Sequence, residues 1–218
     1  AIKNNIKNFI FSSTCAVYKD GLNVVNESSK LSPKSVYGKT KLKGERLIAN
    51  LFKSKKTKFA ILRYFNVAGA SESKKIGQIT RGDQLFKNLA VASKSKKPKI
   101  NVYGNSYNTK DGTCIRDYIH VSDIAKIHIL ALKDISRKKK SIILNCGYGK
   151  GISVLQAIRE FEKQIKKKIT INFKPKRKGD MEMIIANNKK IRKLLNWKVK
   201  KNNLKRIVKS CIHWEKFN

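Results

Sequence analysis

The order of apolar and polar residues predicts a strand, a helix and a second strand in the first third of the chain. Residues 8–12 and 59–64 are mostly apolar, as in buried strands. Between them, apolar positions recur at helical spacing over residues 37–52. Strands joined by a helix are typical of an open, parallel α/β sheet. We therefore expect functional side chains at the carboxyl ends of these strands, where such sheets bind their ligands.

Elements of both kinds continue to the end of the chain. Further helices are expected at residues 84–92, 153–165, 189–195 and 203–215, and further strands at 100–103, 141–146 and 169–173. Ser153 is expected to cap the second of these helices, and Ser122 or Asp123 to cap another helix that runs through Leu132. Residues 68–83 are polar and contain Gly and Ser, which predicts a loop.

The glycine-rich stretch at residues 147–151 follows a predicted strand and precedes a predicted helix, as a dinucleotide-binding loop does. Its spacing is Gly-x-Gly-x-Gly rather than Gly-x-Gly-x-x-Gly. The next predicted strand, at residues 169–173, also carries no acidic residue to hold a ribose. A tight turn is therefore the better interpretation.

Composition limits the class of protein. A chain of 218 residues can bury one sizeable core, or a core and a small lobe. Lys and Arg number 51 against 14 Asp and Glu, and the net charge of +37 raises nucleic acid as a partner. The Lys runs are spread over predicted helix ends and loops, so a solvated surface is the better interpretation.

No stretch predicts a metal site, a redox motif or a membrane span. The four cysteines include no Cys-x-x-Cys pair and the three histidines form no ligand cluster, which suits a reducing cytoplasm. No apolar run has the length of a membrane span, and the start does not resemble a signal peptide. The chain starts without Met on what looks like the end of a helix, so we expect it to be the C-terminal part of a longer protein.

Tyr37 and Lys41 are the strongest candidates for chemistry. They lie four residues apart on a predicted helix, so their side chains share one face. An ammonium beside a phenol favours the phenolate, which lets the tyrosine act as a base near neutral pH. Thr14 and Asn66, at the ends of the two predicted strands, are expected to lie near this pair. These neighbours favour a functional pair over an ordinary exposed one.

Four segments of the chain form a recognisable set. They are Ser-Ser-Thr-Cys-Ala-Val-Tyr at residues 12–18, Tyr-Gly-Lys-Thr-Lys at 37–41, Arg-Tyr-Phe-Asn at 63–66 and Asp-Gly-Thr-Cys-Ile-Arg-Asp-Tyr-Ile-His-Val-Ser-Asp at 111–123. Together they resemble the extended short-chain dehydrogenase/reductase family and, within it, the UDP-glucose 4-epimerases. The resemblance runs from about Lys7 to the C-terminus. It implies an α/β fold with a partial Rossmann-like, doubly wound parallel sheet and a smaller α/β substrate-binding lobe.

The resemblance also implies a cofactor, NAD, and a set of catalytic residues. Tyr37 would take the proton from the sugar's 4-hydroxyl, Lys41 would favour the phenolate, and Thr14 would orient the 4-oxygen. The implied cofactor contacts are Thr14, Tyr37, Lys41, Tyr64 and Phe65. The family's pyrophosphate-binding loop has no counterpart in this sequence, so we expect the chain alone to be inactive or nearly so.

A UDP-sugar site follows from the same resemblance. The implied substrate contacts are Asn66, Gln84, Leu85, Val102, Tyr103, Arg116, Arg177, Asp180 and Ile184. Arg116 and Arg177 would hold the pyrophosphate, since a planar bidentate donor suits a phosphate. Asp180 would accept from the ribose hydroxyls. Gln84 stands where Asn or His is usual, and Ile184 stands at a position that limits the sugar's 2-substituent, which leaves N-acetylated sugars open.

These inferences give one expected organisation and three candidate functions. Residues 1–70 are expected to be the C-terminal part of an NAD-binding Rossmann domain, and residues 71–218 mostly a substrate-binding lobe with segments that return to the Rossmann sheet. The expected activity is interconversion of UDP-galactose and UDP-glucose in the cytoplasm, by a homodimer at full length. The alternatives are a 4-epimerase acting on UDP-N-acetylhexosamine, a uronate or a pentose, and a basic nucleic-acid-binding module without catalysis.

Overall fold

The computed structural model describes residues 3–53, 56–73, 75–79, 82, 84–199 and 203–217. The helices are α1 Val36–Phe52, α2 Leu85–Ala92, α3 Val121–Lys138, α4 Val154–Ile165, α5 Lys189–Leu195 and α6 Asn203–Phe217. The strands are β1 Asn8–Thr14, β2 Val24–Val25, β3 Lys58–Tyr64, β4 Asn66–Ala68, β5 Lys99–Tyr103, β6 Ile115–His120, β7 Ile142–Cys146, β8 Gly151–Ser153, β9 Thr170–Lys174 and β10 Met183–Ala186.

A parallel sheet of order β1-β3-β7 lies at the centre, with helices on both faces. On one face, α1 packs through Phe52 against Phe9 and Phe59, whose ring centroids lie 5.8 and 6.4 Å from that of Phe52. Side chains of β3 that alternate with these, Ala60 and Leu62, join the larger core together with α3. The predicted α/β class and doubly wound parallel sheet are confirmed.

A second sheet of order β2-β10-β6-β4 begins where β3 ends, because only Phe65 separates β3 from β4. Its strands are parallel, while β8 pairs with β6 in the antiparallel direction. A further parallel pair joins β5 to β9. The sequence pattern missed β2, β4, β6, β8 and β10. Part of the predicted loop at 68–83, namely residues 74, 80, 81 and 83, lies outside the described residues.

The start of α3 corrects one prediction. Neither Ser122 nor Asp123 caps this helix; the His120 imidazole does, since its Nδ1 accepts from the Ser122 N–H at 3.1 Å. The helix also continues beyond Leu132 to Lys138. The predicted cap of α4 is confirmed, because Ser153 and Gln156 form a reciprocal capping box.

Residues 147–151 form a turn held by Asp117 rather than a phosphate loop. The Asp117 carboxylate accepts from the backbone N–H groups of Tyr148 and Gly149, both at 2.8 Å, and of Ala186 at 3.2 Å. A Cβ at Gly147 would lie 2.6 Å from Asp117 Oδ2, so only glycine allows this approach. The turn leads into β8 before α4 begins, which the sequence interpretation did not include.

The described helices include none with the length and apolarity needed to cross a membrane. Within the same part of the chain, no group of three or more His, Cys, Asp or Glu side chains is arranged to hold a metal ion. All four cysteines are free thiols.

Candidate active site

Tyr37 enters the site through the first turn of α1. The Ser35 hydroxyl caps this helix by accepting from the Gly38 N–H at 3.0 Å. A Cβ at Gly38 would lie 2.4 Å from the Ala16 carbonyl oxygen, so the helix packs directly on the backbone that follows β1. Tyr37 is 57% exposed and lines a cavity, so its phenol is accessible to a ligand.

Lys41 places its ammonium beside the Tyr37 ring. Its Nζ donates to the Ser12 carbonyl oxygen at 2.9 Å and lies 5.8 Å from the Tyr37 ring centroid. The predicted i, i+4 pair on one helix face therefore exists, next to the end of β1.

A buried ion pair holds α1 on the sheet one turn beyond Lys41. Arg63 Nη2 lies 2.7 Å from Glu45 Oε2, and Arg63 Nε donates to Glu45 Oε1 at 3.0 Å. Arg63 Nη1 also donates to the Tyr18 hydroxyl at 2.9 Å, and Ser13 donates to the Glu45 carboxylate. This network joins α1 to the ends of β1 and β3, and thereby sets the position of Tyr37 and Lys41.

Thr14 and Tyr64 lie side by side in the register of β1 and β3. Thr14 is 8% exposed, and its hydroxyl accepts from the Ala16 N–H at 3.2 Å. The Tyr64 hydroxyl lies 2.8 Å from the Ser12 hydroxyl and 2.7 Å from His128 Nε2. Its oxygen is thus already engaged, so a cofactor contact from Tyr64 would come from its ring or backbone.

The first of two cavities has a volume of about 540 Å³ and lies between the sheet ends, α2 and α6. It brings together most of the residues predicted for the site. The predicted residues in its wall are Tyr37, Phe65, Asn66, Gln84, Leu85, Val102, Tyr103, Arg116, Arg177 and Asp180.

The second cavity, of about 380 Å³, opens on Thr14 and Ile184. Five residues line both cavities: Phe65, Asn66, Arg116, Arg177 and Asp180. The two cavities therefore adjoin across these residues. Lys41 and Tyr64 line neither cavity.

Two guanidinium groups converge on the shared wall. Arg116 Nη2 lies 3.7 Å from Asp180 Oδ1, and Arg116 Nη1 donates to the backbone oxygens of Ile115 and Glu182. The Arg177 guanidinium carbon lies 3.8 Å from the Tyr103 ring centroid. Such a pair of planar cations offers several N–H donors to an anion such as a diphosphate.

Comparison with known proteins agrees with this geometry. The model of the NAD dependent epimerase/dehydratase family matches residues 1–147. The chain belongs to this family. The UDP-glucose 4-epimerase of Azospirillum brasilense is 38% identical over 217 residues, which cover 99% of this chain and 62% of that protein. That of Lactobacillus helveticus is 35% identical, with 97% of this chain and 65% of that protein covered.

Solved structures of this epimerase/dehydratase family have the same fold. The UDP-glucose 4-epimerase of Bifidobacterium longum, in complex with NAD⁺ and UDP, superposes with a TM-score of 0.92 at 32% identity. The alignment covers 100% of this chain and 66% of that one. The chain thus spans less than two thirds of the length of these relatives.

The sequence interpretation missed several residues that line the cavities of this family member. Cys15, Asp20 and Lys34 line the second cavity, and Lys87 and Glu215 line the first. Cys15 lies within the first recognised segment and Asp20 lies two residues after it, so proximity in sequence was a usable signal for both. Lys87 and Glu215 lie 128 positions apart in a Lys-rich chain, and no local pattern distinguishes them.

Proposed function

We propose that the protein containing this chain interconverts UDP-galactose and UDP-glucose by NAD-dependent oxidation and re-reduction at C4 of the sugar. Membership of an NAD-dependent epimerase family supports this proposal. Relatives named UDP-glucose 4-epimerase at 35–38% identity support it further.

The observation that carries the proposal is the shared wall of the two cavities. Tyr37 lines one cavity and Thr14 the other, while Arg116, Arg177 and Asp180 line both. A ligand whose diphosphate binds the two arginines can therefore extend its sugar toward a phenol and a hydroxyl. A nucleoside diphosphate sugar has this shape and charge.

In this proposal Tyr37 acts as the base that removes the proton from the 4-hydroxyl, and later returns it. The Lys41 ammonium lies 5.8 Å from the Tyr37 ring centroid, close enough to stabilise negative charge that develops on the phenol oxygen as the proton moves. Thr14 orients the 4-oxygen through its hydroxyl, which can donate while it accepts from the Ala16 N–H.

NAD fits the donor set around Lys41. An ammonium has three N–H groups, and the bond to the Ser12 carbonyl uses one of them. The remaining N–H groups are available to ribose hydroxyls. Thr14, Tyr37, Lys41, Tyr64 and Phe65 are the residues that would hold the cofactor. When bound, NAD accepts a hydride from the sugar and returns it.

Two measurements on the full-length protein that contains this chain test the proposal, because we expect the chain alone to be inactive or nearly so. Calorimetry with UDP measures the nucleotide site, and an assay of UDP-galactose conversion with added NAD⁺ measures the reaction. We expect UDP to bind and UDP-glucose to form. Failure to bind UDP contradicts the whole assignment, whereas binding without any conversion at saturating NAD⁺ contradicts the assigned reaction.

The choice of sugar is the finer part of the proposal. Ile184 is 2% exposed and lines the cavity that also contains Thr14, so its side chain is placed to limit the sugar's size. A structural relative from Campylobacter jejuni, 38% identical, is named a UDP-Glc/GlcNAc 4-epimerase. UDP-N-acetylglucosamine, UDP-glucuronate and UDP-pentoses therefore belong in the same assay. Salt-dependent retention on DNA tests the nucleic-acid alternative.

We further propose a homodimer in the cytoplasm. Exposed apolar side chains on α1 support an interface, namely Val36, Leu47 and Leu51 at 80, 58 and 45% exposure. The four free thiols suit a reducing compartment. Light scattering after gel filtration measures the oligomeric state, and a monomer at micromolar concentration contradicts the dimer.

A further inference from the structure

Lys87 and Glu215 form an ion pair in the wall of the first cavity, outside the chemistry proposed above. Lys87 lies on α2 and is 8% exposed; Glu215 lies on α6 and is 6% exposed. Removing two charges from water costs desolvation free energy, so a buried pair is weak evidence for stability. A role in fixing the shape of the cavity is the better explanation.

The Lys87 ammonium also holds a third part of the chain, residues 75–79, which we call the strap. Nζ of Lys87 donates to the Gln78 carbonyl at 2.7 Å, and the Trp214 indole on α6 donates to the same carbonyl at 3.1 Å. A Cβ at Gly77 would lie 2.3–2.6 Å from the Trp214 ring, so the strap lies flat on the indole.

The strap lies in the chain between Asn66 on β4 and Gln84 at the start of α2. Gln78 lines the first cavity together with Gln84, Leu85 and the β5 residue Val102. The proposed function places the diphosphate at Arg116 and Arg177 and the sugar near Tyr37 and Thr14, so this remaining part of the wall is left to the uridine. The position of the strap therefore affects the shape of the space offered to the nucleoside.

We propose that Lys87 is a positioning residue for uridine. Its ammonium clamps α6 and the strap onto α2, and so fixes Gln78, Gln84 and Leu85 in the cavity wall. This inference rests on the proposed function, because it takes the uridine part of a UDP-sugar as the ligand.

The test compares Lys87→Met with the double variant Lys87→Met/Glu215→Met. The single variant leaves a buried carboxylate unpaired and lowers Tm, whereas the double variant removes both charges and regains most of the lost Tm. In both variants the bond from residue 87 to the strap is absent. We expect the affinity for UDP and for uridine to fall about five- to tenfold in both, measured by calorimetry or ligand-observed NMR.

Lys138→Met is the matched control. Lys138, in the last turn of α3, also pairs with a buried carboxylate, that of Asp134 at 2.7 Å, but lines neither cavity. The affinity of the Lys138→Met variant for UDP should equal that of the unaltered chain. A double variant that binds UDP as tightly as the unaltered chain shows that the pair is purely structural and overturns the proposal.

Two further readouts separate this inference from the function on which it rests. An unaltered chain that does not bind UDP contradicts the proposed function itself. Arg116→Leu should weaken binding of UDP but not of uridine, since uridine has no phosphate. Lys87→Met should weaken both by the same factor, and a loss confined to UDP contradicts a role at the nucleoside end.

Discussion

Two buried carboxylates anchor the two ends of the site, and they are held in different ways. Glu45, on the buried face of the helix that carries Tyr37 and Lys41, pairs with the Arg63 guanidinium, which donates to both of its oxygens. Asp117, next to Arg116 on β6, accepts instead from backbone N–H groups in the turn after β7 and on β10. One anchor is an ion pair between side chains, and the other is a carboxylate surrounded by amides.

Because the two carboxylates are held differently, the two ends of the site should respond differently to mutation and to pH. Burial opposes the charge on Arg63, but the hydrogen bonds and charge interactions with Glu45 and Tyr18 together outweigh it and raise the Arg63 pKa, so the guanidinium stays charged. Burial raises the pKa of Asp117 to about 6, although the backbone N–H bonds oppose this shift. The catalytic end should therefore depend on one pair of side chains, and the nucleotide end should respond to pH.

The largest expected effect is on kcat, from a variant that should lower the reaction rate without changing nucleotide binding. In the full-length protein, Tyr37→Phe removes one hydroxyl from an exposed ring, so the fold and UDP affinity should be unchanged. General acid–base groups contribute roughly 10²–10⁴-fold, and kcat for UDP-galactose conversion should fall by at least about 10²-fold. Near-normal turnover by Tyr37→Phe would show that another group moves the proton.

The second prediction concerns the ion pair at the catalytic end. Arg63→Met leaves the Glu45 carboxylate buried and unpaired, which should cost about 3–5 kcal/mol of unfolding free energy. Adding Glu45→Leu removes the stranded charge and should recover most of that loss. Urea unfolding of both variants measures the difference. Equal stability of the single and double variants would mean that water reaches Glu45 and that the pair is not buried in solution.

The third prediction isolates the nucleotide end. Arg116→Leu removes a guanidinium from the wall shared by both cavities, and a charge-assisted phosphate contact contributes about 1.5–3 kcal/mol. The Kd for UDP should rise roughly tenfold or more, with Tm nearly unchanged. Arg137→Leu is the control, because Arg137 lies on α3 with its side chain 76% exposed. Equal affinities of the two variants refute the phosphate assignment.

The sequence predicted the catalytic end better than the nucleotide end, for a physical reason. β1, β3 and α1 follow local apolar periodicity, and Tyr37 and Lys41 come together through a single helical turn. β6 was missed because its buried positions include Asp117, which is held by Tyr148, and His120, whose Nε2 is held by Ser210; both partners lie far away in the sequence. Local patterns cannot show that such polar side chains are satisfied inside a core.

The sequence predicted where several of these side chains meet. Arg116, Arg177 and Asp180 were expected at one site, and the structure places all three in the shared wall. Tyr64 was expected to contact the cofactor; its hydroxyl is engaged by Ser12 and His128, and the cofactor contact stays a prediction. The proposed domain boundary near residue 70 stays a prediction, as do the catalytic roles.

The smallest predicted effect tests the amide-bound anchor through pH. The folded-state pKa of Asp117, about 6, is above the ordinary value of 3.8, so the native protein binds a proton that the unfolded chain releases. This contribution to stability is complete below about pH 4 and is lost as pH rises through 6. Asp117→Asn does not titrate, so the Tm difference between the unaltered chain and this variant should shrink by a few degrees from pH 4 to 7.

Asp111 provides a control with the opposite sign. Burial opposes the lowering of its pKa, but the hydrogen bonds from Ser153 and Thr113 outweigh it and hold that pKa below 3.8. Its contribution is therefore present above the unfolded-state pKa and lost as pH falls, so the Tm difference for Asp111→Asn should grow from pH 3 to 5. The two variants should thus change in opposite directions. If the Tm difference for Asp117→Asn also grew with pH, the backbone N–H groups, not burial, would determine the charge of the Asp117 carboxyl. The stability of the nucleotide end would then be as insensitive to pH above 4 as that of the end held by the Arg63–Glu45 ion pair.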